Sequence, residues 1–403
     1  MALASPAPTY RALTRAIFLM ALACFGSGAS MRVTDPLLPQ VALDFGSSIG
    51  AASWIVTAYA IPYGITQAFS GAIGDRLGKC QAVALACGVS SVLVLLCAIA
   101  QSVPQLTLLR LIAAPGAAII VPLGMAYIGD VVPYERRQPV LARFLAGQMA
   151  GMLSGQLIGG IVGDYLGWRY VFVVLAGVFA LAGLALLSQF RSNPWTKPIL
   201  HAEGERPEMI PVFRKLAASS WCRFLIIAVF LEGAIMFGSF TYVGADLYDR
   251  FGLSFTTVGF VVATFGIGSI CYAMSAPHVI RALGERKMVI AGGFVVALGF
   301  LTLAFGPVWQ LAPVACMVLG FGYYLVHNTI QTHATQMMPE ARGNAIAAFS
   351  SALFLGQSAG VALGSLIVDR QGATAQFVLA AIAWLSMALW AAARIRQRQA
   401  AAP

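Results

Sequence analysis

Charge is what this sequence has least of. Asp, Glu, Lys and Arg together make up 10% of its 403 residues, against about 25% in ordinary soluble domains. So small a charged fraction excludes a chain that spends most of its side chains in water. Alternation of polar and apolar residues with period two is missing as well, which argues against a membrane barrel. The seven Cys (24, 80, 87, 97, 222, 271, 316) have no CxxC spacing and no extracellular cluster, and read as small apolar residues. The four His (201, 278, 327, 333) show no metal-ligand spacing, so no metal is expected. No phosphate loop of the G-x-x-x-x-G-K-[ST] kind is present, which excludes direct coupling to ATP hydrolysis within this chain. Gly356-Gln-Ser-Ala-Gly360 matches G-x-S-x-G, but it lies in a long apolar helix without the strand-turn-helix setting of a nucleophile, and no enzyme is expected.

What is present is hydrophobic, at 59% of positions. Apolar runs of about 20 residues cross about 30 Å of hydrocarbon as helices. Twelve are expected, near residues 13–34, 50–71, 81–101, 104–128, 141–163, 168–188, 222–246, 255–276, 287–306, 309–336, 344–368 and 373–393. The first is retained rather than cleaved, since the Arg32/Asp35 stretch at its end is no small-residue cleavage site. With both termini cytoplasmic, 20 of the 25 Lys and Arg fall in cytoplasmic segments, as the positive-inside rule requires. The net charge of +10 is thus a topology signal, and with no basic-aromatic platform nucleic acid is not an expected partner. The expected fold class is all-α integral membrane, with lipid as the main solvent.

Residues 189–221 form the one long polar segment and contain Pro194, Pro198, Pro207 and Pro211. They divide the chain into an N-terminal six-helix bundle (1–188), a cytoplasmic linker (189–221) and a C-terminal six-helix bundle with a short tail (222–403). A shift of about 205 residues aligns Gly155, Gly159, Asp164, Gly167 and Phe172 with Gly360, Gly364, Asp369, Gly372 and Phe377. A shift of 206 aligns Pro133, Arg136 and Gly78 with Pro339, Arg342 and Gly284. Such matches at equivalent points of a six-plus-six layout argue for duplication.

Ionisable residues inside the spans are the candidates for function, because they are expensive there. Glu232 lies about ten residues into the seventh span, among Phe230, Leu231, Gly233 and Ala234, where a carboxyl group is a candidate proton carrier. On a regular helix Glu232, Ser239, Tyr242 and Asp246 fall within roughly 80° of one another. The tenth span has a second polar stripe in Tyr324, His327, Asn328, Gln331 and Thr335, and the second span a smaller one in Tyr59, Tyr63 and Gln67. Such stripes either join helices by hydrogen bonds or line a wet central cavity, and His327 alone also fits a satisfied core residue. Arg32 and Asp35, three apart at the end of the first span, share a helix face. They read either as an ion pair marking a helix end or as a proton or cation site in the outer part of a cavity. Arg110 in the fourth span needs a carboxylate or carbonyl partner, which is either static or a carboxylate that alternately holds a proton.

Between the second and third spans, Gly71-Ala-Ile-Gly-Asp-Arg-Leu-Gly-Lys79 resembles the loop signature G-x-x-x-D-R-x-G-[RK] of the major facilitator superfamily. The resemblance implies that Gly71, Asp75, Arg76, Gly78 and Lys79 form a conformational latch, Asp75 engaging the facing helix end of the other half and so holding the outward-facing state. The corresponding loop, Ile280 to Lys287, has Arg281 in place of the acid, so any such latch is asymmetric. Residues 108–118 resemble the family's R-x-x-Q-G-x-G-A-A element around Arg110, with Ala113 and Ala114 in place of Gln and Gly. Gly151, Gly155, Gly159 and Gly160 are similar to the antiporter element G-x-x-x-G-P-x-x-G-G, with Gln156 in place of Pro. Glycines four apart let another helix pack closely in any case. Met31 to Pro39 is similar to the first-helix element of the family's exporters.

The resemblance spans the whole chain and implies two six-helix bundles rocking about a site near the membrane midplane. It implies a secondary active transporter of the drug:proton antiporter type, exporting a small, amphipathic or drug-like molecule from the cytoplasm across a plasma or bacterial inner membrane. Energy would come from the proton gradient, with no cofactor, and a monomer is usual for the family. Proton symport or facilitated uptake of a small organic nutrient is the alternative, and a transport-inactive membrane sensor a third reading.

Overall fold

The computed structural model describes residues 10–190, 193–196, 209–338 and 342–401, with side chains described throughout except at 10, 11, 71, 72, 75, 134, 135, 209–213, 342 and 401. The regular elements it describes are all helical. Helix α1 (Tyr10–Arg32) stops two residues before a short 3-10 turn, Asp35–Leu37, because Pro36 has no N–H to continue the ladder. The chain resumes as α2 (Leu38–Phe45) and closes on Gly46 at φ 59°, a conformation that favours glycine. Serine side chains then start several helices by accepting a backbone N–H of the first turn: Ser48 for α3 (Ile49–Leu77), Ser102 for α5 (Val103–Val131), Ser219 for α9 (Ser220–Glu232) and Ser254 for α12 (Phe255–Phe305). Helix α4 is Lys79–Cys97, α6 Tyr134–Leu166, α7 Trp168–Gln189 and α8 the short Met209–Ala218.

After α9 the seventh span is irregular. A π turn (Gly233–Phe237) leads to α10 (Gly238–Phe240), and after Thr241 and Tyr242 the chain continues as α11 (Val243–Phe251). Helix α12 is two spans joined at Gly284, whose φ of 67° reverses the chain, followed by α13 (Leu311–Ala334), α14 (Arg342–Gln371) and α15 (Ala373–Ala401). Among the described residues, ten segments are long and apolar enough to cross a membrane. Dividing α12 at Gly284 and adding the 29-residue α3 gives the twelve expected spans. Large apolar side chains such as Phe18, Leu181, Phe294 and Leu363 are more than half exposed along these helices, as lipid requires.

Turns at Gly46, Gly167, Gly252 and Gly372 lie at one end of the bundle, and those at Gly78 and Gly284 at the other. One apolar core is built mainly from residues between Leu13 and Leu186, with Tyr242 and Val361 of the other half buried in it and Phe354 and Val368 packed against it; a second is built from residues between Phe224 and Ile395. The two halves meet along α3 with α14 and α6 with α12. On the first seam, hydrogen bonds run from Ser48 with Asp369 (2.7 Å), through Ser358 with the Thr57 carbonyl (3.3 Å), to Ser351 with the Gly64 carbonyl (2.7 Å). Sixteen helical residues cover about 24 Å, so this seam occupies most of the membrane thickness on the Gly46 side. On the second, Gly160 faces Gly259 so closely that a methyl group on either would press on the other's backbone.

Candidate functional site

The interruptions in the first and seventh spans lie beside each other. Added side-chain volume at Gly244, just past the second interruption, would press on the Asp35 carbonyl and Pro36. From the first interruption Arg32 places Nη1 3.5 Å from Asp35 Oδ2, and its guanidinium lies 4.0 Å from the centre of the Phe237 ring, in the π turn of the other half. Both charged groups are buried. A desolvated cation over an aromatic face is worth about 2 kcal/mol, so the N-terminal half's arginine is tied to the C-terminal half by a ring as well as to its own carboxylate.

Arg110 has no exposed surface. Its Nη2 donates to the Ser30 carbonyl at 2.9 Å, Nη1 donates to Ser30 Oγ at 3.4 Å, and the guanidinium lies 3.8 Å from the Tyr59 ring centre. Ser30 is in the last turn of α1, where carbonyls lose their helical partners. The interruption of α1 therefore creates the acceptor that Arg110 uses, and of the two partners anticipated for this residue the structure supplies the carbonyl.

Glu232 is the last residue of α9 before the π turn, and it is fully buried. Its Oε2 lies 2.7 Å from His327 Nδ1, a hydrogen bond whose proton can reside on either atom, while Oε1 has no hydrogen-bond partner. His327 stacks on Tyr323 at 4.9 Å and 14° and packs near Phe349 at 5.8 Å. Single-turn π insertions are frequent at functional sites, and this one rotates the residues after Glu232 off the face they would share with it on a regular helix.

The remaining candidates separate for the same reason. Beyond the π turn, Ser239 accepts from Gln376 of α15, Tyr242 donates to the Val361 carbonyl of α14 and pairs with Ser53 of α3, and Asp246 pairs with Arg250. The stripe anticipated on the seventh span is thus distributed over several partners. In α3, Tyr63 is buried, bonded to Ser27 and set edge-on to Phe354 of the other half, and Gln67 is buried. In α13, Tyr324 stacks with Tyr272, Asn328 donates to the Tyr272 hydroxyl, and Gln331 is exposed. Gly151, Gly155 and Gly159 press α6 against the carbonyls of Phe25 and Ala29 in α1 and of Val33 just past its end, while Gly160 turns toward the other half. In the loop motif, Gly78 turns the chain at φ 81°, Lys79 pairs with Asp130 and Arg76 is exposed. The side-chain surroundings of Gly71 and Asp75 lie outside the described residues. Phe237 and Tyr323 carried no signal in the sequence, being aromatic residues in apolar spans.

The family model described as Major Facilitator Superfamily matches residues 20–248 and 243–402. This chain is a member of that superfamily. It is a multi-pass membrane transporter, and not an enzyme. It is similar to the uncharacterized MFS-type transporter YceJ of Bacillus subtilis (strain 168), 24% identical over 351 residues covering 87% of this chain and 88% of that one. It is also similar to the inner membrane transport protein YdhP of Escherichia coli (strain K12), 23% identical over 361 residues covering 88% of each. Among solved structures, a bacterial homolog of the human lysosomal transporter Spinster, in an inward-facing and unoccupied conformation, gives a TM-score of 0.69 at 16% identity over 96% of both chains. A D-xylose-proton symporter gives 0.73 at 15% identity over 94% of this chain and 96% of that one. At these identities the likeness is one of fold.

Proposed function

We propose that this superfamily member is a drug:proton antiporter, using inward proton flow to export a small amphipathic molecule from the cytoplasm of a bacterial cell. The observation that carries the reading is Glu232, a carboxyl group held inside the membrane with one oxygen on His327 and the other unpartnered. Such a group is expensive in the membrane and so a candidate for function, and a proton is the smallest cargo it can bind and release. The charge bias supports a cytoplasmic Gly78 end and cytoplasmic termini. The tight seams at the Gly46 end then correspond to a state closed to the outside. Arg32, Asp35 and Arg110 form a second charged cluster in the other half, positioned to respond when a substrate or proton changes the charge on Asp35. The protein acts as a monomer and needs no cofactor.

The test uses inverted membrane vesicles energised to an acidic interior and read with a pH-sensitive dye, while a panel of amphipathic toxic compounds and metabolites is added. A compound that collapses the gradient with the wild-type protein and not with Glu232→Gln supports the reading. Unchanged coupling in Glu232→Gln removes Glu232 from it, and a cargo that moves together with the proton replaces export with symport.

A further inference from the structure

Two aspartates hold the halves together at the Gly46 end in the same way. Asp369, in the last turn of α14, accepts from Ser48 Oγ at 2.7 Å and from the Gly50 backbone N–H at 2.9 Å, at the start of α3. Asp164, in the last turn of α6, accepts from Thr256 Oγ1 at 2.7 Å and from the Thr256 backbone N–H at 3.3 Å, at the start of α12. Both contacts cross from one half to the other. They are also related by the internal repeat, since a shift of 205 or 206 carries Asp164 to Asp369, Ser48 to Ser254 and Gly50 to Thr256.

Neither carboxylate helps its own helix. Negative charge near a helix C-terminus opposes the helix dipole, whereas the N-terminus of another helix offers free N–H groups and positive potential. Each aspartate therefore recovers, from the opposite half, what its own position costs. Gly50 fits this contact, because a methyl group there would collide with the Asp369 carboxylate. The loop motif at the Gly78 end has lost its acid in the second half, whereas this pair has kept both.

We infer that Asp164 and Asp369 form a two-point lock that holds the Gly46 ends of the halves together, and that both points must release before this end opens. The lock depends on neither proton coupling nor transport direction. The proposed function and the lock can therefore fail independently.

The experiment measures distances between spin labels at Ile99→Cys and Val308→Cys, one in each half, in lipid nanodiscs with Cys271→Ser; the other six cysteines are buried. Losing an aspartate cap shifts an equilibrium by about threefold to fivefold. Asp164→Ala and Asp369→Ala are each expected to raise the long-distance population by that factor, and together by about tenfold or more. Gly50→Ala should act like Asp369→Ala while keeping the carboxylate and a good helix former. Asp44→Ala is the control, because Asp44 bonds Arg169 and Trp168 within its own half. Unchanged distributions in the aspartate and Gly50 variants, or an equal response in Asp44→Ala, would overturn the lock.

Discussion

Replacing Glu232 and His327 singly and together tests whether they act as one unit. The pair is buried, the hydrogen bond is 2.7 Å, and Glu232 Oε1 has no second partner to take over the load. His327→Leu leaves the carboxyl group without its partner, at a cost of about 1–3 kcal/mol if it is neutral and about 3–5 kcal/mol if it is ionised. Glu232→Leu leaves His327 Nδ1 unpaired, for about 1–3 kcal/mol. The double variant has no orphan left and replaces the polar groups by apolar side chains, a change that is often neutral or stabilising. The coupling energy should then be about 2 kcal/mol or more in favour of the double variant. Equilibrium unfolding in mixed detergent micelles provides the measurement, and a transport assay on the same double variant should show it folded and inactive. Two single effects that add to within about 0.5 kcal/mol would refute the pairing as an energetic unit.

Gly155→Leu would drive a side chain into the α1 backbone at Ala29, where no rotamer relieves the contact, and should cost at least about 3 kcal/mol of stability or abolish folding. Gly88→Leu, with open space around it, should change the melting temperature little by size-exclusion assay. Arg110→Lys keeps the charge but loses the planar stack on Tyr59 and the two-pronged contact with Ser30, which should lower stability by about 2 kcal/mol in the unfolding assay. Gly284→Ala places a side chain at φ 67° with nothing nearby to compensate, and should cost about 1–2 kcal/mol by the same measurement.

The spans and their turns were legible because they rest on local rules. An apolar run of about 20 residues has few alternatives to a membrane helix, and Gly78 and Gly284 both prove to reverse the chain at positive φ, as do Gly167 and Gly372. The aligned Asp164 and Asp369 likewise take equivalent places across the two seams. The candidate site was less legible because it depends on departures from regular helix. A single extra residue per turn at Gly233–Phe237 rotates everything after Glu232, so positions counted at 100° per residue diverge onto α13, α15 and α14. The carbonyl that receives Arg110 exists only because α1 stops at Arg32, and nothing in an apolar span distinguishes Phe237, the ring beneath Arg32, from its neighbours.

The meeting of Gly160 with Gly259 has a mechanical meaning. Helices that cross through interlocking side chains slide in steps, each knob having to leave one hole before it enters the next. Here backbone lies on backbone, and a smooth crossing of that kind works as a bearing. At that point the halves can rotate without any knob leaving its hole, so resistance to motion along this seam falls on side-chain contacts beside it such as Asp164 with Thr256, and one leucine at either glycine would turn the bearing into a wedge.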